Sequence, residues 1–286
     1  MKQVLAQSNS HIRDQYITFY ARGHKYFISS DPKSKYTSVT TFIHSLFPKF
    51  DADLIISKMM NSKKWGPEHK YWGQTPEQIK ETWKQNGNSV ASAGTSMHET
   101  IEAFMNQNIP EFTTQIKNHK TLYDYYVENP NNQVQFINFN STPEWSYFLK
   151  FILDNENLIP YRTEWMIFHE EAKLAGSIDM VYINEDGSLS IYDWKRAKEI
   201  TKYNSFDEFG LNPHIAHLHH TNFWHYSLQL NIYKKILETK YDKIVSKLAL
   251  IRLHPNSESQ SYELLEVPFL EKEVDDLFNE RINSLT

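Results

Sequence analysis

The chain has 286 residues, is 40% hydrophobic and 23% charged, and carries a formal net charge of −5. This composition suits a globular protein with a sizeable core and excludes a disordered chain. The acidic sum weighs only weakly against a nucleic-acid partner, because screening limits exposed charges to roughly 8 Å and local patches decide. The absence of cysteine excludes disulfides and thiolate metal sites and fits a reducing compartment such as the cytoplasm. No apolar run of about 18 residues is present and the first ten residues are polar, so neither a membrane span nor a signal peptide is expected.

Tyr16–Ile28 reads as a β-hairpin with Arg22-Gly23 at its turn. Thr37 or Ser38 then caps a helix to about Leu46, stopped by Pro48, and Asp51 opens another through Met60. The stretch from Asn61 to Gly73 gathers Lys63, Lys64, Trp65, Lys70 and Trp72 into an expected basic and aromatic loop. Pro76 starts a helix towards Gln85, and Ser92 to Asn106 forms a second, with Ala93, Met97, Ile101 and Met105 near one face. Residues 107–140 are polar and rich in asparagine, and read as an insertion with one helix near Lys120–Val127. Pro143 begins an amphipathic helix to about Asn155.

The period then changes from 3.6 to 2. Tyr161–Phe168, Lys173–Ile183 and Leu189–Lys195 read as strands, the last two joined by the turn Asn184-Glu185-Asp186-Gly187. A helix over Phe223–Thr239, strands over Lys247–Leu253 and Tyr262–Val267, and a terminal helix over Pro268–Ser284 complete the chain. The expected class is α/β, a central mixed sheet flanked by helices with a helical N-terminal region (1–90), a core (91–255) and a C-terminal strand and helix (256–286), all one domain.

Chemistry concentrates at Asp193-Trp194-Lys195. Residues two apart in a strand share a face, so Asp193 and Lys195 project together and Trp194 opposes them. The same acid-x-Lys spacing starts at Asp31, Glu68, Glu171 and Glu238, so the spacing alone says little. Context separates Asp193: it ends an apolar strand, and the strand before it carries Asp179. Adjacent strands lie about 4.8 Å apart, and two carboxylates at ~4 Å repel by roughly 4 kcal/mol at an effective dielectric of 20. A divalent cation relieves that repulsion, and carboxylate oxygens suit Mg²⁺ or Mn²⁺. The plainer alternative pairs one aspartate with Lys195 or Arg196. Gly176 either serves a bulge or lets a nucleic-acid backbone approach.

The segments Ala175-Gly176-Ser177-Ile178-Asp179 and Ile191-Tyr192-Asp193-Trp194-Lys195 resemble two motifs of the PD-(D/E)XK nucleases, in their RecB-like branch. That branch includes CRISPR-adaptation nucleases and the mitochondrial genome maintenance exonuclease. Gly94-Thr95-Ser96-Met97-His98 resembles the branch's GTxxH helix motif, Glu164 its preceding acidic residue, and Gln229 to Tyr233 its Q-x-x-x-Y helix, all in the branch's order. Asp193 stands where many members have glutamate.

The resemblance implies a restriction-endonuclease-like core that hydrolyses phosphodiester bonds. One or two Mg²⁺ or Mn²⁺ ions would be held by His98, Asp179, Asp193 and the Trp194 backbone, with Lys195 orienting water or stabilising the transition state. Glu164 is expected at the metal, at a metal-bound water or at Lys195, unless it is an edge charge paired with Arg162. Gln229 and Tyr233 would hold a phosphate or fix Lys195, unless they are a core tyrosine beside a surface glutamine. Gly176, Ser177, Arg196, Asn222, Trp224 and Tyr226 are candidate nucleic-acid contacts, with Trp65 and Trp72 behind them. The tract His214, His217, His219, His220 and His225 matches no compact zinc site and reads as a substrate-side loop. Members of the branch are mostly DNA exonucleases, often on single strands and ends. The alternatives are an endonuclease on DNA or RNA and a catalytically weak binding module. No Walker segment is present, so any ATP-driven motion requires a helicase or recombinase partner. The iron–sulfur cluster common in the branch has no cysteines to hold it here.

Overall fold

Side chains two apart share a face of a strand, and that period sorts the middle of the chain into two apolar surfaces. In the computed structural model, which describes residues 3–107, 109, 118–129, 141–204 and 208–285, they become the two faces of one sheet. The helices are α1 (Val4–Ser8), α2 (Val39–Ser45), α3 (Ala52–Met60), α4 (Pro76–Met105), α5 (His119–Glu128), α6 (Pro143–Asp154), α7 (Asn222–Lys240) and α8 (Glu271–Leu285). The strands are β1 (Ile17–Tyr20), β2 (Lys25–Ile28), β3 (Thr37–Ser38), β4 (Ile159–His169), β5 (Leu174–Ile183), β6 (Leu189–Lys195), β7 (Val245–Arg252) and β8 (Glu263–Glu266).

β1 and β2 form the expected hairpin. The main sheet runs β3-β5-β6-β7-β8, with β4 also on β5. It is mixed: β3–β5 and β6–β7 are parallel, while β4–β5, β5–β6 and β7–β8 are antiparallel. A parallel neighbour needs a crossover, and α7 supplies it between β6 and β7. Trp165, Ile178, Val181, Ile191 and Leu250 face a layer made by α2, α7 and α8. Met180, Tyr182, Tyr192, Trp194 and Ile251 face the other way, against α5, α6 and the end of α4. The sheet is therefore covered on both sides, and α7 is buried nearly all round.

The chain divides into two compact units, Met1–Pro48 with Met97–Thr286, and Lys49–Ser96. Within the second, Ile56 and Ile79 are the buried apolar residues. Its rings make a chain of contacts instead: Phe50–Trp83, Trp83–Tyr71, Trp65–His69 and Trp65–Trp72, all 4.8 to 6.1 Å between centroids.

Caps fall where the sequence places them. The Ser38 hydroxyl accepts from Thr41 N–H and the Asp51 carboxylate from Leu54 N–H. Two expected helices are in fact one: α4 runs 30 residues through Asn86-Gly87-Asn88. A helical glycine costs about 1 kcal/mol, too little to break a long cooperative ladder. Of the expected insertion, α5 is seen near its expected place, while residues 110–117 and 130–140 lie outside the described residues.

Candidate metal centre

β5 and β6 pair from Met180↔Tyr192 to Ile183↔Leu189 and then part. Beyond that point β6 stays with β7, through Asp193↔Leu250 to Lys195↔Arg252. The other end of β5 pairs with β3 at Leu174 and Ala175. Residues 176–179 thus line the crotch of a fork, where ladder N–H groups lose their partners and side chains must replace them. Trp194 N–H donates to Asp179 Oδ2 at 3.1 Å, which fixes that carboxylate at the fork.

Glu164 arrives from β4. Its neighbours pair Thr163↔Met180 and Trp165↔Ile178, so it lies across from Asp179. Its φ of +44° is left-handed, a costly conformation for a non-glycine residue that persists only where its surroundings enforce it. Ser177 Oγ donates to Glu164 Oε2 at 3.1 Å. Arg162 is not its partner: that guanidinium pairs with Asp14.

His98 arrives from α4. Its Nδ1 is 3.5 Å from Asp179 Oδ2 and 3.8 Å from Glu164 Oε1, while Nε2 is 3.0 Å from the Trp194 carbonyl. A carbonyl only accepts, so Nε2 carries the proton and Nδ1 faces the carboxylates. Burial works to lower the His98 pKa, but the charge of Asp179 and the nearby Glu164 carboxylate override it and raise the group to about 9. Burial raises Asp179, opposed by His98 and reinforced by Glu164.

Asp193 is 1% exposed, with Oδ2 2.6 Å from Lys195 Nζ. Its Oδ1 has no hydrogen-bond partner. Burial and then Asp179 push Asp193 up, while Lys195 pulls it down. Burial disfavours the Lys195 cation, but Asp193 and Asp179 together hold it protonated, well above its ordinary value. The Tyr226 ring lies under Nζ at 4.4 Å.

These residues fit a divalent cation. Donor atoms of His98, Glu164 and Asp179 lie within 4.8 Å of one another, as in no other His/Asp/Glu group among the described residues. An unpartnered oxygen of a buried carboxylate, Asp193 Oδ1, stands in the same charge network. Carboxylates plus one imidazole suit Mg²⁺ or Mn²⁺, the imidazole favouring manganese. Of the expected ligands His98 and Asp179 converge, and Glu164 lies with them, one of the places expected for it. Asp193 is instead drawn to Lys195, and the Trp194 carbonyl accepts from His98.

Gln229 and Tyr233 do come together on α7, Gln229 Nε2 donating to the Tyr233 hydroxyl at 3.1 Å, both buried. Tyr233 lies over Gly176, where an added Cβ would meet the ring at 2.6 Å. The idea that Gly176 admits a nucleic-acid backbone is therefore corrected: the tyrosine ring takes the space. The other expected contacts also have partners within the protein. Arg196 Nε donates to buried Glu144 at 2.8 Å. Asn222 and Trp224 hold the backbone of Glu199, Thr201 and Lys202. Ser177 and Tyr226 remain beside the carboxylates and Lys195. In the histidine tract, His214 and His217 meet carboxylates of α8, and His220 stacks on His225.

Sequence reasoning missed Tyr26 of β2. It packs with Met166 against a small cluster containing Phe168 and Ala175. Burial, then the charges of Glu164 and Asp179, raise its hydroxyl to about 12. No motif marks it, since its place depends on the hairpin folding over β4 and β5.

The family model described as the PD-(D/E)XK nuclease superfamily matches residues 69–285. No curated protein matches the chain. Chains of solved structures do match. The crystal structure of SSO0001 is 14% identical over 68% of this chain and 87% of its own, with a TM-score of 0.26, too low to carry an argument.

Proposed function

Since the chain belongs to the PD-(D/E)XK nuclease superfamily, whose members use divalent metal ions, we propose that it is a DNA exonuclease of the RecB-like branch, acting on single-stranded ends and leaving 5′-phosphates. The observation that carries the nuclease assignment is the convergence of His98, Glu164 and Asp179 at the β5–β6 fork, beside the Asp193–Lys195 pair. The branch and the exonuclease mode rest on the motif order from Gly94 to Tyr233.

A bound divalent ion lowers the pKa of its water and neutralises charge on the phosphate. The protein's residues divide the remaining work. His98, Glu164 and Asp179 would hold the ion, and the Trp194 backbone orients two of them, accepting from His98 and donating to Asp179. Lys195 is held as a cation by Asp193 and Asp179, so it cannot take the proton of the attacking water. It donates hydrogen bonds instead, aligning that water and stabilising charge on the phosphoryl oxygens. Water adds to phosphorus and gives up its proton to solvent, the bond from phosphorus to the 3′-oxygen breaks, and the departing 3′-oxygen takes a proton from solvent to become the 3′-hydroxyl. Gln229 and Tyr233 brace β5 from behind at Gly176 and position the fork. A helicase or recombinase partner belongs to the same reading and would deliver single-stranded ends.

The test is cleavage of end-labelled linear and circular DNA and RNA, single- and double-stranded, with Mg²⁺, Mn²⁺ or EDTA. Metal-dependent loss of linear single strands, with circles spared and Asp179→Asn inactive, is the expected result. Cut circles make it an endonuclease, and no cleavage of any substrate removes the enzyme reading.

A further inference from the structure

The β1–β2 hairpin exposes more aromatic surface than its packing needs. Only Ile17 and Ile28, at its base, are fully buried, and Tyr26 is half-buried. Phe19 and Tyr26 are cross-strand partners with ring centroids 5.0 Å apart, and His24 closes on both, at 5.0 Å from Phe19 and 6.3 Å from Tyr26. Tyr26 is the inner member of this trio, packed beside Met166 and Ala175, which neighbour the fork residues Gly176 and Ser177. Phe19 is the outer member. It is exposed and belongs to none of the core clusters. The trio thus runs from the metal centre to solvent as a row of rings.

Charge agrees with the shape. The whole chain is acidic, yet from Gln15 to Ser30 there is no carboxylate, while Arg22 and Lys25 stand exposed at the hairpin's tip. Rings in a row beside a basic tip are the equipment for holding an unpaired nucleotide: π-faces stack on bases without regard to sequence, and cations follow the backbone. A duplex offers no free base face to such a row. An apolar protein partner would not account for the two exposed cations at the tip, which form no ion pair among the described residues.

We propose that Phe19, His24 and Tyr26 form a stacking subsite for a base of single-stranded DNA next to the metal centre, with Arg22 and Lys25 on its phosphates. This rests on the nuclease reading above, and the experiment separates the two.

The probe is a short single-stranded DNA containing 2-aminopurine, whose fluorescence is quenched on stacking, bound to the full chain carrying Asp179→Asn. Quenching is expected. Adding Phe19→Ala or Tyr26→Leu should abolish it and weaken binding about tenfold. Tyr26→Phe should retain it, because the ring is kept. Arg22→Glu or Lys25→Glu should each lower the slope of log affinity against log salt by about 0.7. Unchanged quenching and affinity in Phe19→Ala and Tyr26→Leu would overturn the subsite while leaving cleavage by the unaltered chain untouched. Tighter binding of the matching RNA would overturn the assignment to DNA. Ring-dependent quenching in a protein that cleaves nothing would retain the subsite and remove the nuclease.

Discussion

At the level of single residues, the site is a set of charges that only make sense together. Lys195 is the group whose state decides its proposed role: two carboxylates hold it protonated, so in the proposed reaction it would act as donor and counter-charge. Lys195→Ala is expected to lower the single-turnover cleavage rate by about a hundredfold or more, with metal binding retained, because the ligands His98, Glu164 and Asp179 remain. Isothermal titration of Mn²⁺ alongside the rate measurement checks both halves. Gly176 makes a different kind of demand. With Tyr233 Cε1 2.6 Å from any added Cβ, Gly176→Ala overpacks the fork and should cost about 1–3 kcal/mol in chemical denaturation. The double variant Gly176→Ala with Tyr233→Ala should cost less than the sum of the two single changes, because the second removes the obstacle to the first. Asp179, Asp193 and Lys195 are legible as candidates from spacing and strand context, and His98 through the motif resemblance. Tyr26, and the partnership of Glu164 with His98, are not, because they arise from contacts across elements far apart in sequence.

At the level of elements, the decisive feature is the parting of β5 from β6 after Met180↔Tyr192. Strand positions, the turn at Asn184–Gly187 and the caps at Ser38 and Asp51 follow from local chemistry, and they fall where the alternation and the capping residues place them. The fork does not follow from local chemistry, since it depends on β3 taking one end of the β5 edge and β6 the other. The same lesson applies to α4, where Asn86-Gly87-Asn88 reads as a break but sits inside one helix. An added Cβ at Gly87 meets nothing within 4 Å. Gly87→Ala is therefore expected to raise stability by up to about 1 kcal/mol, in contrast with Gly176→Ala. A lowered melting temperature for Gly87→Ala would contradict a continuous helix there.

For the molecule as a whole, neutral histidines that are buried or half-buried work against stability in acid. Burial depresses His119 to about 3, and His169 and His225 to about 4. Each folded value lies below the unfolded one, so the unfolded chain binds more protons between these limits. The stabilisation is complete above pH ~6.5 and is lost as pH falls towards 4 and 3, at up to about 1.4 kcal/mol per pH unit for a fully buried group. His119 is fully buried, with Nε2 3.0 Å from the Tyr182 hydroxyl. Denaturation midpoints measured from pH 7 to 4 should fall steeply, and less steeply in His119→Gln. In metal-free protein His98 acts in the opposite sense. Its raised value adds stability below pH ~6.5 that fades as pH rises through about 9. Among the described residues no helix is long and apolar enough to cross a membrane.

The sequence by itself determined the α/β class and the strands and helices of the core, and through its motif resemblance it supplied His98, Asp179, Asp193 and Lys195 as candidate site residues. These are readable because periodicity, capping and residue type are local properties. Only the tertiary structure decided which carboxylates meet. It set Glu164 and Asp179 around His98, gave Asp193 to Lys195, filled the space at Gly176 with Tyr233, and brought Tyr26 to the site. Each of those outcomes depends on where two strands part and on what packs over the gap, and distances of a few ångströms between remote segments are not encoded in the spacing of either one.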